Sequence, residues 1–194
     1  MDTSQQSYYG IKEPLDISNN KTWATLLGTD LIDVTDFEVY TDRTVSGSTD
    51  TTWADMINTQ SAADGWYLDF SLGERNLGQA ALIGGLLSFT TFTPTADICS
   101  AGGTSDLWGL YYKSGTAYYR AVFGTELEIV AGVEKERSLK KLSLGLGLAT
   151  SPNVHVGRKK GSTVFVQSST GEITRIEEEN PLSTKSGLQS WKLQ

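Results

Sequence analysis

An all-β fold, an antiparallel meander of short strands broken by one helix, is predicted by three features of this sequence. Turn signals recur at short intervals, at Gly84-Gly85, Ser114-Gly115, Lys160-Gly161 and Thr170-Gly171. The runs between them are rich in Val, Ile, Leu, Phe, Tyr and Thr, which suit a pleated, half-buried surface. One segment alone, residues 51 to 63, carries helical spacing.

Along the chain, "LIDVTDFEVYT" reads as strand. In "GSTDTTWADMINTQSAADG" the expected N-cap is Thr49 or Asp50, Trp53, Met56 and Ile57 share one face, and Gly65 falls just past the end. "YLDFSLGERN" places Asp69 at a strand end and Glu74 in the turn after it, with Arg75 the expected ionic partner. "AALIGGLLSF" is divided by a Gly84-Gly85 turn, and "LWGLYYKSGTAYYRAVF" reads as two aromatic strands meeting at Lys113 to Thr116. "EIVAGVEKERSLKKLSLG" stays open between strand and charged loop. "NVHVGRKKGSTVFVQSSTGEITRI" reads as three strands alternating around Val154, Val156, Val164, Val166, Ile173 and Ile176. The total is about ten short strands, fitting a sandwich or propeller blades. At about four strands per blade this single domain, residues 1 to 194, amounts to roughly two to three blades, fewer than a closed ring needs, so a propeller implies a remainder.

Composition narrows the function. A net charge of -7 opposes a nucleic-acid footprint, because phosphate binding needs clustered Lys and Arg. The one basic cluster, Arg158, Lys159 and Lys160, reads as the decoration of a hairpin turn. No apolar run approaches the roughly 20 residues of a spanning helix, and the first residues lack the pattern of an export signal. Cys99 is the single cysteine, which excludes an internal disulfide and a thiolate metal cluster. Abundant Ser, Thr, Gly and aromatic residues with few Lys and Met resemble an extracellular β protein.

Catalytic patterns are scarce. His155 is the single histidine, and its setting between Val154 and Val156 reads as a strand residue rather than a general base. "GLGLAT" and "GRKKGST" fail the spacing of phosphate-binding loops. Asp30, Asp33 and Asp36 recur every third residue and form a calcium candidate, although the EF-hand pattern is missing and the alternation with Leu31, Ile32 and Val34 reads first as strand. Asp69 and Glu74 form a pair of the glycosidase type on paper. Trp108, Tyr111, Tyr118 and Tyr119 are candidates for a ligand-stacking surface, set against the commoner reading of cross-strand aromatic packing.

"GWYLDFSLGERN", "AALIGGLLSFTTFTP", "CSAGGTSDLWGLYYKSGTAYY", "SPNVHVG" and "VFVQSSTGEI" occur in that order. In this order and spacing the sequence resembles the C-terminal part of the PilY/PilC family of type IV pilus tip-associated adhesins and biogenesis proteins, with gaps, from "YYGIKEP" to "SGLQSW". The resemblance implies a modified β-propeller in which Trp66, Tyr67, Asp69, Glu74 and Arg75 are a blade signature, Trp66 and Tyr67 packing between sheets and Glu74 and Arg75 fixing a turn. It implies a non-enzymatic assembly factor and adhesin at the cell surface, with minor pilins or the pilus tip as partners and a host or abiotic surface bound through the missing N-terminal region; no catalytic residue or cofactor is evident in this sequence, while the full-length family protein is a candidate for calcium. Two departures stand out. The family's DxDxDxxxD calcium loop and an RGD tripeptide are both missing from this sequence, so calcium control and integrin binding do not carry over. The family's variable N-terminal region is also missing, making Met1 the expected start of a fragment. The alternative expectation is a carbohydrate- or ligand-binding propeller module.

Overall fold

A computed structural model of the chain describes residues 4–13, 25–95, 102–156 and 161–183. Cys99 and the Arg158 to Lys160 cluster lie outside the described residues.

β1 (Ser7–Ile11) opens a small sheet; β2 (Leu31–Asp33) follows a 3-10 turn, and the ribbon of β3 (Glu38–Val39) and β4 (Val45–Ser46) leads into helix α1 (Trp53–Ala62). β5 (Gly65–Asp69) then runs between β1 and β2, antiparallel to the first and parallel to the second. The parallel pair is a departure from a pure meander, made possible because the β3–β4 ribbon and α1 supply the crossover that parallel strands require. β6 (Arg75–Asn76), β7 (Ala81–Ile83), β8 (Leu86–Pro94) and β9 (Gly103–Tyr111) continue the chain. β10 (Thr125–Val130) and β11 (Val133–Ser138) form a hairpin, and β12 (Lys141–Leu146) pairs with β9, giving the order β12-β9-β8-β6 with β7 also on β8. β13 (Asn153–Val156), β14 (Ser162–Gln167) and β15 (Ile173–Glu178) make the expected three-stranded meander. The described residues are thus an all-β architecture with one short helix, and among them no sheet closes into a barrel or a propeller ring.

Several boundaries differ from expectation for local reasons. The N-cap of α1 is Thr52, whose hydroxyl accepts from the Asp55 amide at 3.2 Å, while Gly65 is the first residue of β5 rather than a helix stop. The turn at Lys113 to Thr116 forms, but the second aromatic strand does not: only Tyr111 and Thr116 bridge, and Tyr118 and Tyr119 turn toward the helix instead. The charged segment resolves as strand, because Ala131 and Gly132 both adopt positive φ, the conformation of a tight two-residue hairpin turn. Gly84 and Gly85 do the same between β7 and β8, as expected. Ile173 is exposed, leaving Val164, Val166 and Ile176 as the buried apolar residues of the final sheet.

Strand β9 lies between β8 and β12 and feeds three apolar clusters. Trp108 and Leu110 join Trp66, Leu68, Phe70 and Phe89; Leu107 faces Val164, Val166 and Ile176; Tyr111 meets Trp53 and Met56 of the helix. In the first cluster Tyr8 stacks on Phe89 with centroids 4.2 Å apart and planes 2° from parallel, and Phe89 lies 5° from parallel to Trp108.

Trp66 is held by backbone as much as by side chains. Its indole Nε1 donates to the Tyr112 carbonyl at 3.0 Å. A Cβ placed on Gly10 would overlap the Nε1 to Cζ2 side of the ring, and one placed on Gly115 would overlap the Cε3 side. Gly115 has φ +67 as well, so Gly115→Ala combines left-handed strain with overpacking and is expected to cost about 3 kcal/mol. Gly73, at φ +80 with open space around its would-be Cβ, isolates the strain alone, and Gly73→Ala should cost about 1 kcal/mol. Urea denaturation of the two variants measures the difference.

Candidate functional site

The strand-and-turn stretch that carries the family-like motif divides between core and surface. Trp66 is buried, whereas Tyr67 points outward and donates its hydroxyl to Asp33 Oδ2 at 3.0 Å, so Tyr67 does not pack between sheets. Asp69 accepts from the Ser7 hydroxyl. Glu74 does fix a turn: its amide donates to the Ser71 carbonyl at 3.0 Å, and its Oε2 accepts from the Ser71 amide at 3.3 Å. Its ionic partner, however, is not Arg75. Glu74 is 1% exposed, and its Oε1 accepts from Thr91 Oγ1 at 2.6 Å and from Trp108 Nε1 at 3.1 Å, with Lys141 Nζ 3.7 Å from Oε2. A buried carboxylate needs donors on both oxygens, and the neighbouring strands supply them where the adjacent arginine does not. Arg75 Nε instead reaches the Gly73 carbonyl at 3.4 Å. This arrangement makes Glu74 a structural acid enclosed by the core.

The other sequence candidates separate in space. Asp30 Oδ2 caps its own turn by accepting from the Leu27 amide, and Asp33 is engaged with Thr35 and Tyr67. Among the described residues no three acidic, histidine or cysteine side chains come together as a metal site, so Asp30, Asp33 and Asp36 do not converge. Trp108 and Tyr111 are buried, which removes them from any open stacking surface. Tyr118 and Tyr119 are half-buried against Trp53, with centroids 5.4 and 5.7 Å away, and Arg120 and Arg43 lie over their rings. Tyr111, Tyr118 and Tyr119 pack around Trp53 and dock α1 onto the sheets, whereas Trp108 belongs to the cluster around Trp66. His155 sits exposed on β13, opposite Thr163. Among the described residues no helix is long and apolar enough to cross a membrane.

Among the described residues a cleft of about 570 Å³ is bounded by β1, β5, α1 and the turn after β9. Trp66 and Ile57 supply apolar surface, Gln60 and Ser61 come from the helix, and Tyr112 and Lys113 stand at the turn. Lys12 closes the helix end, its Nζ donating to the carbonyls of Gln60, Ser61 and Ala63 at 3.0, 2.7 and 2.6 Å, where the helix dipole is negative. Gln60 is buried and donates its Nε2 to the Ser114 carbonyl at 3.1 Å, tying the helix to the turn. The sequence carried a signal for this residue. Gln60 stands four residues after Met56 and seven after Trp53, a polar side chain in the apolar row of the helix.

A second buried acid lies at the far sheet. Glu178, 4% exposed at the end of β15, faces Ser88 Oγ at 3.0 Å and Ser162 Oγ at 3.1 Å, and the Asn180 side-chain amide lies 2.8 Å from the same Ser162 Oγ. Burial raises the carboxyl to about 7, the serine hydrogen bonds offsetting part of that rise. The folded state therefore holds this proton more tightly than the unfolded chain, whose ordinary value is 4.5. The stabilisation is complete below pH 4.5 and is lost as pH rises to about 7, a change of up to about 3 kcal/mol. Melting temperature should fall across that window, and Glu178→Gln should flatten the profile.

No family model, curated protein or solved structure matches the chain.

Proposed function

We propose that this chain is a non-enzymatic binding module of type IV pilus assembly and surface attachment, of the kind found in the C-terminal region of the PilY/PilC family, with its sheets as blades of a modified β-propeller. The observation that carries the reading is the ordered motif set. Its residues also share packing: Trp66, Phe89 and Trp108 belong to one apolar cluster, and Glu74 holds Trp108 through its indole N–H. A motif whose members support one another explains a set of residue types at fixed spacing without invoking chemistry. In this reading the module works at the cell surface, and minor pilins are its partners.

The test is genetic and biochemical. Deleting the coding sequence in the organism that carries it should reduce surface piliation at least severalfold, and peptides of this chain should co-purify with sheared pili. Unchanged piliation together with its absence from pili would contradict the proposal.

A further inference from the structure

We propose that β1 and the cleft beside it take an extended strand from a partner protein, which adds to the sheet edge and inserts one large apolar side chain over Trp66. The inference rests on the binding-module part of the reading above and is independent of the pilus.

Ladder alternation sets the direction of the β1 backbone. The Gln6 carbonyl accepts from the Phe70 amide and the Lys12 amide donates to the Asp64 carbonyl, so the even-numbered residues bond to β5. The N–H and C=O groups of Ser7, Tyr9 and Ile11 therefore point to the opposite edge, where no strand pairs among the described residues. Exposed strand edges are ordinarily protected by charge, proline or a bulge. From Ser7 to Ile11 there is none of these; Tyr9 and Ile11 are 54% and 57% exposed, and the nearest lysine, Lys12, is turned inward onto the helix carbonyls.

The cleft explains what an added strand would gain. Gly10 is the cross-strand partner of Trp66, so both face the same side of the sheet. A residue of an incoming strand set beside Gly10 projects to that side and meets no β1 side chain, only the cleft with Trp66 and Ile57. Its volume accommodates an aromatic or a large aliphatic group. At the far rim Lys113 has no carboxylate partner among the described residues and lies 5.8 Å from the Tyr112 ring centre. On a chain of net charge -7 this local positive rim selects a segment that carries an acidic residue beyond its apolar anchor. Main-chain pairing supplies affinity and the cleft supplies specificity, the division of labour seen in strand-addition complexes.

The test uses the purified chain and fluorescein-labelled eight-residue peptides of alternating Thr and Val ending in Asp-Asp, with Phe, Tyr, Trp, Leu, Ile or Ser at one central position. Fluorescence anisotropy should show saturable binding for at least one apolar member, at least tenfold weaker for the Ser peptide. Hydrogen exchange should show tenfold slower exchange at the Tyr9 and Ile11 amides in the complex. Tyr9→Pro removes an outward N–H without breaking a bond to β5, and it should abolish binding while the melting temperature changes little; the Ser peptide tests the same claim without altering the fold. Failure of every peptide to bind, or binding indifferent to both the central residue and Tyr9→Pro, would overturn the inference. So would protection of Tyr9 and Ile11 that appears with concentration in the free chain alongside a dimer in sedimentation, since a second copy would then hold the edge.

Discussion

The packing of the Trp66 indole is the constraint on which the rest of the structure depends. One ring touches three segments that are remote in sequence: Gly10 of β1, its own strand β5, and the turn that carries Tyr112 and Gly115. β1 and the turn must each present bare backbone to the ring. Two glycines and one carbonyl make that possible, and together they fix the height of β1 above the sheet and the position of the turn. From Trp66 the packing passes to Tyr8, Phe89 and Trp108, three rings held near parallel, and from Trp108 to the buried Glu74. The cleft is the space left on the open side of the same indole.

Two buried acids show different answers to one problem. Glu74 is surrounded by donors, a hydroxyl, an indole N–H, an amide and a nearby lysine, and it organises a turn. Glu178 has only serine hydroxyls and an amide side chain around it, and its burial favours the protonated form. The two acids are equally enclosed and differ in the donors that their neighbours supply.

How much of this was legible in the sequence follows from the range of the forces involved. Local turn chemistry was readable: Gly84-Gly85 and the meander from Asn153 to Glu178 formed where the residues placed them. The helix was readable to within a residue or two, but its cap was not, because Thr49, Asp50 and Thr52 are all competent caps and the contacts of Trp53 with the core choose among them. The second aromatic strand failed for a similar reason. Tyr118 and Tyr119 have high strand propensity, yet they gain more by packing on Trp53 than by extending the hairpin. The partner of Glu74 was the hardest to read, since Thr91 and Trp108 come from strands 17 and 34 residues away. The cleft was equally hidden: its parts are a strand glycine, a helix glutamine and a turn lysine with no common motif.

The most direct measurement of the central claim is the exchange rate of the Trp66 indole proton, followed by NMR beside the global unfolding free energy of the same sample. If Trp66 binds β1, β5 and the turn into one unit, its Nε1 proton should exchange only through global unfolding, with an opening free energy equal to that from denaturant melting. Exchange through a local opening, at a free energy well below the global value, would mean that β1 and the turn part from the core independently, contradicting the account.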